Sequence, residues 1–318
     1  HGYVEAHEYA LWSLSLITDA AGRAQMVKEG CIEPVVRSIT NPGLSQIAHE
    51  HSTSVLSSLS RDRATQDEVL ECAAVAPLVR MLSAGETEST NAKRHAAVCL
   101  ARLAADSTER QAMLYSAGIV PPLIKWLLRS DLRSEEDPPV DKSLRPVAAN
   151  ALADVTRGNP AMQVKLAEAN ALEPLVSMLE SDAKVDAQVA ACAALATLAV
   201  GSHPNQVTIA QAGAVPLLVG LLQHTKPKMR DGASRALAMV CDTADNKVLV
   251  ASAGGLSPLV DLLTNGSLAS QESAATAISA LSHECQENQI ALVRVGAEEP
   301  LCSLLGSESV ETQEPAQA

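Results

Sequence analysis

One ten-residue segment, Gly213-Ala214-Val215-Pro216-Leu217-Leu218-Val219-Gly220-Leu221-Leu222, recurs in altered form along the whole chain, and a chain built on such a period has few folds open to it. Aligned on the position of Leu217, the other copies fall at Pro34, Pro77, Pro122, Pro174, Pro258 and Pro300, at successive intervals of 43, 45, 52, 43, 41 and 42 residues. All but one interval lie in the band of about 40 to 47 residues expected of two- or three-helix solenoid repeats. Gly213 is expected to close one helix in a left-handed conformation, and Pro216 to sit in the first turn of the next, where a missing N–H costs nothing. The leucines and valine that follow form the buried stripe of that short helix.

A repeat array grows by stacking, so 318 residues are expected to form one elongated unit rather than two globular domains. Phe is absent, Trp and Tyr number 2 and 3, yet hydrophobic residues reach 47%, so the interior must be Ala, Leu, Val and Ile, which lets helices approach closely. The formal charge of −13 argues against nucleic acid as a partner, because phosphate contacts need a basic footprint. Seven Cys without regular pairing read as reduced thiols, which places the chain in the cytoplasm, with nucleus or cilium also compatible. The longest nearly unbroken apolar run, residues 189–200, is Ala-rich and too short to span a bilayer. The first residues, from His1 to Glu5, have neither the basic start nor the apolar core of a signal peptide, and they lack a Met.

Residues 4–18 are predicted to form a single amphipathic helix without a first and second helix before it. The array therefore begins within a repeat, as expected of a piece of a longer chain; an atypical terminal cap is the other reading. After this half repeat (4–19), full three-helix repeats are predicted over 20–60, 61–105, 106–157, 158–200, 201–242 and 243–283, with a closing half repeat at 284–306. Pro204, Pro216 and Pro227 mark the three helix starts of the best-defined repeat. Thr65-x-x-Glu68 reads as a capping box, and Asn159-Pro160 as a cap followed by proline. The long interval contains an acidic, proline-bearing insertion at 131–142, expected to be a solvated loop, and the polar tail at 307–318 is expected to be disordered.

Four residues before each alignment point stand Gly30, Ala73, Gly118, Asn170, Gly213, Gly254 and Gly296, a column that marks a backbone needing positive φ. Ala73 departs from it, which implies strain or a reshaped turn. The glycine, the proline, the Leu-Val-x-x-Leu-Leu stretch and an Ala-rich third helix such as Ala96-Ala97-Val98-Cys99-Leu100-Ala101-Arg102-Leu103 together resemble the armadillo-repeat family over about residues 4–306. HEAT repeats are the runner-up, but they usually have two helices and lack this glycine. The resemblance implies an all-α fold, a right-handed α-solenoid (superhelix) of armadillo-type three-helix repeats.

It also implies a groove on the third helices that holds an extended peptide. Third-helix anchors at Leu14, Leu56, Leu100, Leu152, Leu195, Leu237 and Ile278 repeat the same period, and the positions two before and two after each anchor point away from the core. The candidate partner-binding residues taken from those columns are Trp12, Ser54, Ser58, Arg94, Arg102, Asn150, Asp154, Arg235 and Met239, with Arg94 standing one turn earlier. In importin-alpha-like members the columns carry recurring Trp and Asn; here Trp12 alone matches the tryptophans and nothing matches the asparagines, which disfavours a nuclear-localisation-signal receptor. Glu8, Glu50, Asp154, Asp231 and Glu272 set against Arg94, Arg102 and Arg235 leave no strongly basic, beta-catenin-like groove either. Arg94 and Arg102, with Lys93, are expected to form a basic spot free of core duties.

His95 and Cys99 lie four apart on one helix, but a metal site needs about four ligands and no second pair lies near, so neither metal nor cofactor is expected. No phosphate loop, nucleophile elbow or zinc-protease helix is present in the sequence. The chain reads as a non-catalytic scaffold that binds a protein or peptide segment. The alternative is the substrate-recognition array of a larger enzyme such as an armadillo-containing ubiquitin ligase.

Overall fold

The computed structural model describes residues 2–85, 87–128, 141–180 and 183–306; the acidic insertion, but for Asp141 and Lys142, and the tail at 307–318 lie outside them. Among the described residues all regular structure is helical. The chain divides into two compact units, with the boundary between Met178 and Leu179. The first holds α1 (Gly2–Ser15), α2 (Ala20–Lys28), α3 (Ile32–Ile39), α4 (Gln46–Leu59), α5 (Arg63–Glu71), α6 (Val75–Ser83), α7 (Thr90–Ala104), α8 (Thr108–Ser116), α9 (Val120–Leu127), α10 (Arg145–Thr156), α11 (Pro160–Glu168) and α12 (Leu172–Ser177). The second holds α13 (Val185–Ala199), α14 (His203–Gln211), α15 (Ala214–Leu221), α16 (Pro227–Val240), α17 (Ala244–Ser252), α18 (Leu256–Asn265), α19 (Leu268–Ser282), α20 (Gln286–Arg294) and α21 (Glu298–Gly306).

Within the first unit α1, α4, α7 and α10 pack side by side, with α3, α6 and α9 each laid against the third helix that follows. In the second, α13, α16 and α19 do the same, with α15 against α16 and α18 against α19. Leu56, Leu100, Leu152, Leu195 and Leu237 are wholly buried. Alanines fill the remaining space, and in α16 even alanine would be tight: a Cβ on Gly232 would lie 3.2 Å from the Cβ of Cys192 on α13. The absence of Phe is thus matched by close helix approach.

The turn between first and second helices follows the sequence column. Gly30, Ala73, Gly118, Asn170, Gly213, Gly254 and Gly296 all have positive φ, from 55° at Ala73 to 84° at Gly118 and Gly213. Several close with the Schellman pattern, in which two N–H groups reach back to the end of the helix. Gly118 N–H donates to the carbonyl of Tyr115 at 3.0 Å and Ile119 N–H to that of Leu114 at 3.3 Å. Ala73 therefore keeps the shape of its siblings and bears the strain. A second left-handed column, at Asp106, Gly158, Gly201 and Glu284, lies just beyond third helices and had no uniform residue to reveal it.

Asn159 caps α11, its Oδ1 accepting from Met162 N–H at 3.2 Å ahead of Pro160. Thr65 does not cap α5: the helix begins at Arg63 after Asp62, and Thr65 lies inside it, its hydroxyl donating to the carbonyls of Leu59 and Asp62. The helix over 4–18 likewise stops at Ser15, leaving Leu16 64% exposed beyond it.

Thr65 belongs to a wider device. The last carbonyls of a third helix lack intrahelical donors, and in each case below a buried polar side chain on the next first helix supplies one. Gln66 Nε2 donates to Ser60 at 3.0 Å, Asn205 Nδ2 to Leu198 at 2.9 Å, Gln206 Nε2 to Ala199 at 3.0 Å, Asn246 Nδ2 to Val240 at 2.8 Å and Asn288 Nδ2 to Leu281 at 3.0 Å. Asn246 and Asn288 also reach the preceding first helix, at the carbonyls of Gln206 and Lys247. One amide thus stitches two repeats in a medium where an unmade hydrogen bond is expensive.

Candidate interaction surface

The outward faces of α1, α4, α7 and α10 lie next to one another and carry seven of the nine candidate residues. Trp12 is 48% exposed beside Tyr9, with ring centroids 6.4 Å apart. Asn150 is exposed, Ser54 half-buried, and Asp154 half-buried and paired with Arg157 at 2.7 Å. Ser58 is buried, so it presents almost nothing to a partner. In the second unit Arg235 on α16 is exposed and Met239 half-buried.

The acidic column one turn earlier has a structural duty that sequence spacing did not show. Glu8 accepts from Ser45 N–H at 3.3 Å, where α4 begins. Glu50 accepts from Ser89 Oγ at 2.7 Å and Asn91 Nδ2 at 3.1 Å, where α7 begins. Asp231 accepts from Ser267 Oγ at 2.7 Å and from Ser270, where α19 begins. Each carboxylate braces the N-terminal turn of the next third helix, the end that favours negative charge. Arg94 holds the same column position and donates from Nη2 to Ser143 Oγ at 3.1 Å, just ahead of α10.

Arg102 is also engaged. Its Nη1 donates to the carbonyl of Ser57 at 2.6 Å, and burial holds its pKa below the usual arginine value, with the charge of Arg61 adding to the effect. Arg94 and Arg102 are therefore not a spot free of structural duties. Each ties its helix to a neighbour, and reversing their charges is expected to cost stability as well as binding.

Two family descriptions match the sequence: Armadillo/beta-catenin-like repeat over residues 243–283 and HEAT-like repeat over residues 185–240. No curated protein matches. Among solved structures, an engineered protein aligns with a TM-score of 0.70 at 25% identity, covering 79% of this chain and 96% of that one. A computationally designed armadillo repeat protein for modular peptide recognition aligns at 0.66 and 28% identity over 78% of this chain and 99% of the other. A designed armadillo repeat protein in complex with the peptide (KR)4 aligns at 0.67 and 27% identity, over 79% and 99%.

The chain has the fold of armadillo repeat proteins.

The fold is accordingly an α-solenoid, and chemistry elsewhere in the array is sparse. His95 is half-buried, and burial lowers its pKa, partly offset by a bond and charge from Glu50. Cys99 turns its sulfur to the carbonyl of Leu56 at 3.5 Å and is wholly buried, which pushes its pKa up to about 12. Cys192 and Cys241 are raised to about 12 for the same reason. Among the described residues no cluster of three or more His, Cys, Asp or Glu is placed to hold a metal, and no single helix is long and apolar enough to cross a membrane.

Proposed function

We propose that this array is a non-catalytic scaffold that binds an extended segment of a protein partner on the face formed by α1, α4, α7 and α10. The observation that carries the reading is a pair of exposed groups on that face without structural work. Trp12 offers an exposed aromatic plane, and the Asn150 amide has no hydrogen-bond partner among the described residues. An amide satisfies a peptide backbone in both directions, and an indole binds at small entropic cost. The peptide-bound designed relative supports the same mode. Its basic peptide is a poor guide to sequence preference here, because Glu8 and Glu50 are already committed to helix starts.

The test is selection of peptides from a random extended library against the intact chain, followed by titration of the winners against variants. Trp12→Ala and Asn150→Ala are each expected to weaken binding by about 1 to 2 kcal/mol. Val248→Ser, on an exposed position of α17, serves as the control and is expected to leave it unchanged. Winners that ignore both Trp12 and Asn150 would place the binding surface elsewhere.

A further inference from the structure

The end of α4, the start of α5 and the end of α7 enclose an open cleft of about 320 Å³, lined by Ser60, Arg61, Arg63, Gln66, Arg102 and Asp106. Its charge is out of keeping with a chain of net charge −13. The neighbouring arginines are accounted for: Arg23 grips Asp62 through Nε at 2.5 Å and Nη2 at 3.0 Å, and Arg110 donates to Gln66 Oε1 at 2.6 Å and to Asp67. Arg61, Arg63 and Arg102 form no ion pair among the described residues. Among the lining residues three arginines therefore stand against one carboxylate, Asp106, with Asp62, already bound by Arg23, and Asp154, paired with Arg157, close enough for their charges to be felt by Arg61 and Arg102.

Two further features point the same way. The half-buried Arg102 feels desolvation and the like charges of Arg61 and Arg23, offset only in part by Asp154, a field that an anion in the cleft would relieve. Asp62, the N-cap residue of α5, makes no capping bond and its carboxylate is taken up by Arg23, so the first N–H groups of that helix beside Arg63 have no side-chain acceptor from the cap.

We propose that this cleft binds a phosphate monoester carried on a side chain of the partner segment. The lining's excess of two positive charges matches a phosphate monoester, which carries about −1.5 to −2 near neutral pH, better than a single carboxylate. Guanidinium forks pair with its oxygens in parallel. Arg102 belongs both to the cleft and to the outward face of α7, so a segment on that face reaches the cleft without leaving it. The assignment of the phosphate to a peptide rests on the function proposed above; the anion site itself does not.

The intact chain is titrated in chloride buffer with three probes: N-acetyl-O-phosphoserine methylamide, N-acetylserine methylamide and inorganic phosphate. Saturable binding of the phosphoserine probe that weakens with added salt, with none of the serine probe, is the expected result. Arg61→Ala combined with Arg63→Ala should weaken it about tenfold. Both side chains are exposed, so the melt should not change. Asp106→Asn should tighten binding severalfold, and asparagine tolerates the positive φ of 59° at that position; this variant decides the matter if the double variant does not fold. Equal binding of phosphoserine and serine probes, or indifference to both sets of substitutions, would overturn the proposal. Binding of inorganic phosphate with exclusion of the phosphoserine probe would overturn it too, in favour of a free-anion site. None of these titrations uses a partner, so their failure leaves the peptide selection intact, and the reverse.

Discussion

Replacing Ala73 by glycine should make this protein more stable, although it removes a methyl group and touches no contact. Ala73 has φ of 55° in the turn between α5 and α6, and its side chain is exposed, so nothing packed is lost. An L-residue held in the left-handed region costs roughly 1 to 2 kcal/mol. Glycine gives back about 0.4 to 1 kcal/mol of that through the greater freedom of the unfolded chain. The difference leaves Ala73→Gly stabilising by about 0.5 to 1 kcal/mol. Gly118→Ala runs the comparison backwards: φ is 84° and a Cβ there would meet nothing within 4 Å, so its cost is one of backbone alone and should be of similar size with opposite sign. Denaturant melts at constant m-value read both changes as midpoint shifts. A neutral or destabilising Ala73→Gly beside a costly Gly118→Ala would refute the strain argument and mean that the methyl group contributes something at that turn.

Asn246 is 3% exposed and donates to the carbonyls of Gln206 and Val240, so Asn246→Ala should cost about 2 to 4 kcal/mol, and Asn246→Asp, which exchanges donors for acceptors, at least as much; a neutral Asn246→Asp in a denaturant melt would dismiss the stitching role. Iodoacetamide at about pH 8 followed by mass spectrometry should label the exposed Cys302 quickly, and Cys99, Cys192 and Cys241 only after unfolding, since burial raises their pKa to about 12; native labelling of Cys99 would contradict its placement. The Arg23 bond lowers the native pKa of Asp62, so its contribution is present above the unfolded value of about 4 and is lost as pH falls through the native one. The stability gap between the native protein and Asp62→Asn should therefore hold steady from neutral pH to about pH 5 and close on further acidification; a gap unchanged at about pH 2 would assign it to something other than the carboxylate charge.

What the sequence determined by itself was whatever one residue type must do locally. Positive φ excludes most side chains by sterics within a single residue, so the column from Gly30 to Gly296 announced the turn, and the aligned prolines and apolar stripes announced the helices around it. Asp106 and Glu284 adopt the same conformation without the residue that advertises it, so they were invisible. Asn246, Asn288 and Gln66 look like ordinary polar residues near the start of a helix; the turn between helices brings the orphan carbonyls of Val240, Leu281 and Ser60, six or seven residues back, beside them, and the stacking of repeats adds the carbonyls of Gln206 and Lys247 from 40 and 41 residues away. Glu8, Glu50 and Asp231 were read as groove charge because spacing reports which face a residue occupies and not what the next helix offers it. The arginines of the cleft lie on α5, α7 and the loop after α4, and their shared, only partly neutralised field exists only because tertiary packing brings three separate stretches of chain to one place. Backbone sterics act within a residue and can be read along a string, whereas hydrogen bonds between repeats and the summing of charge act through space, and only the folded stack fixes those distances.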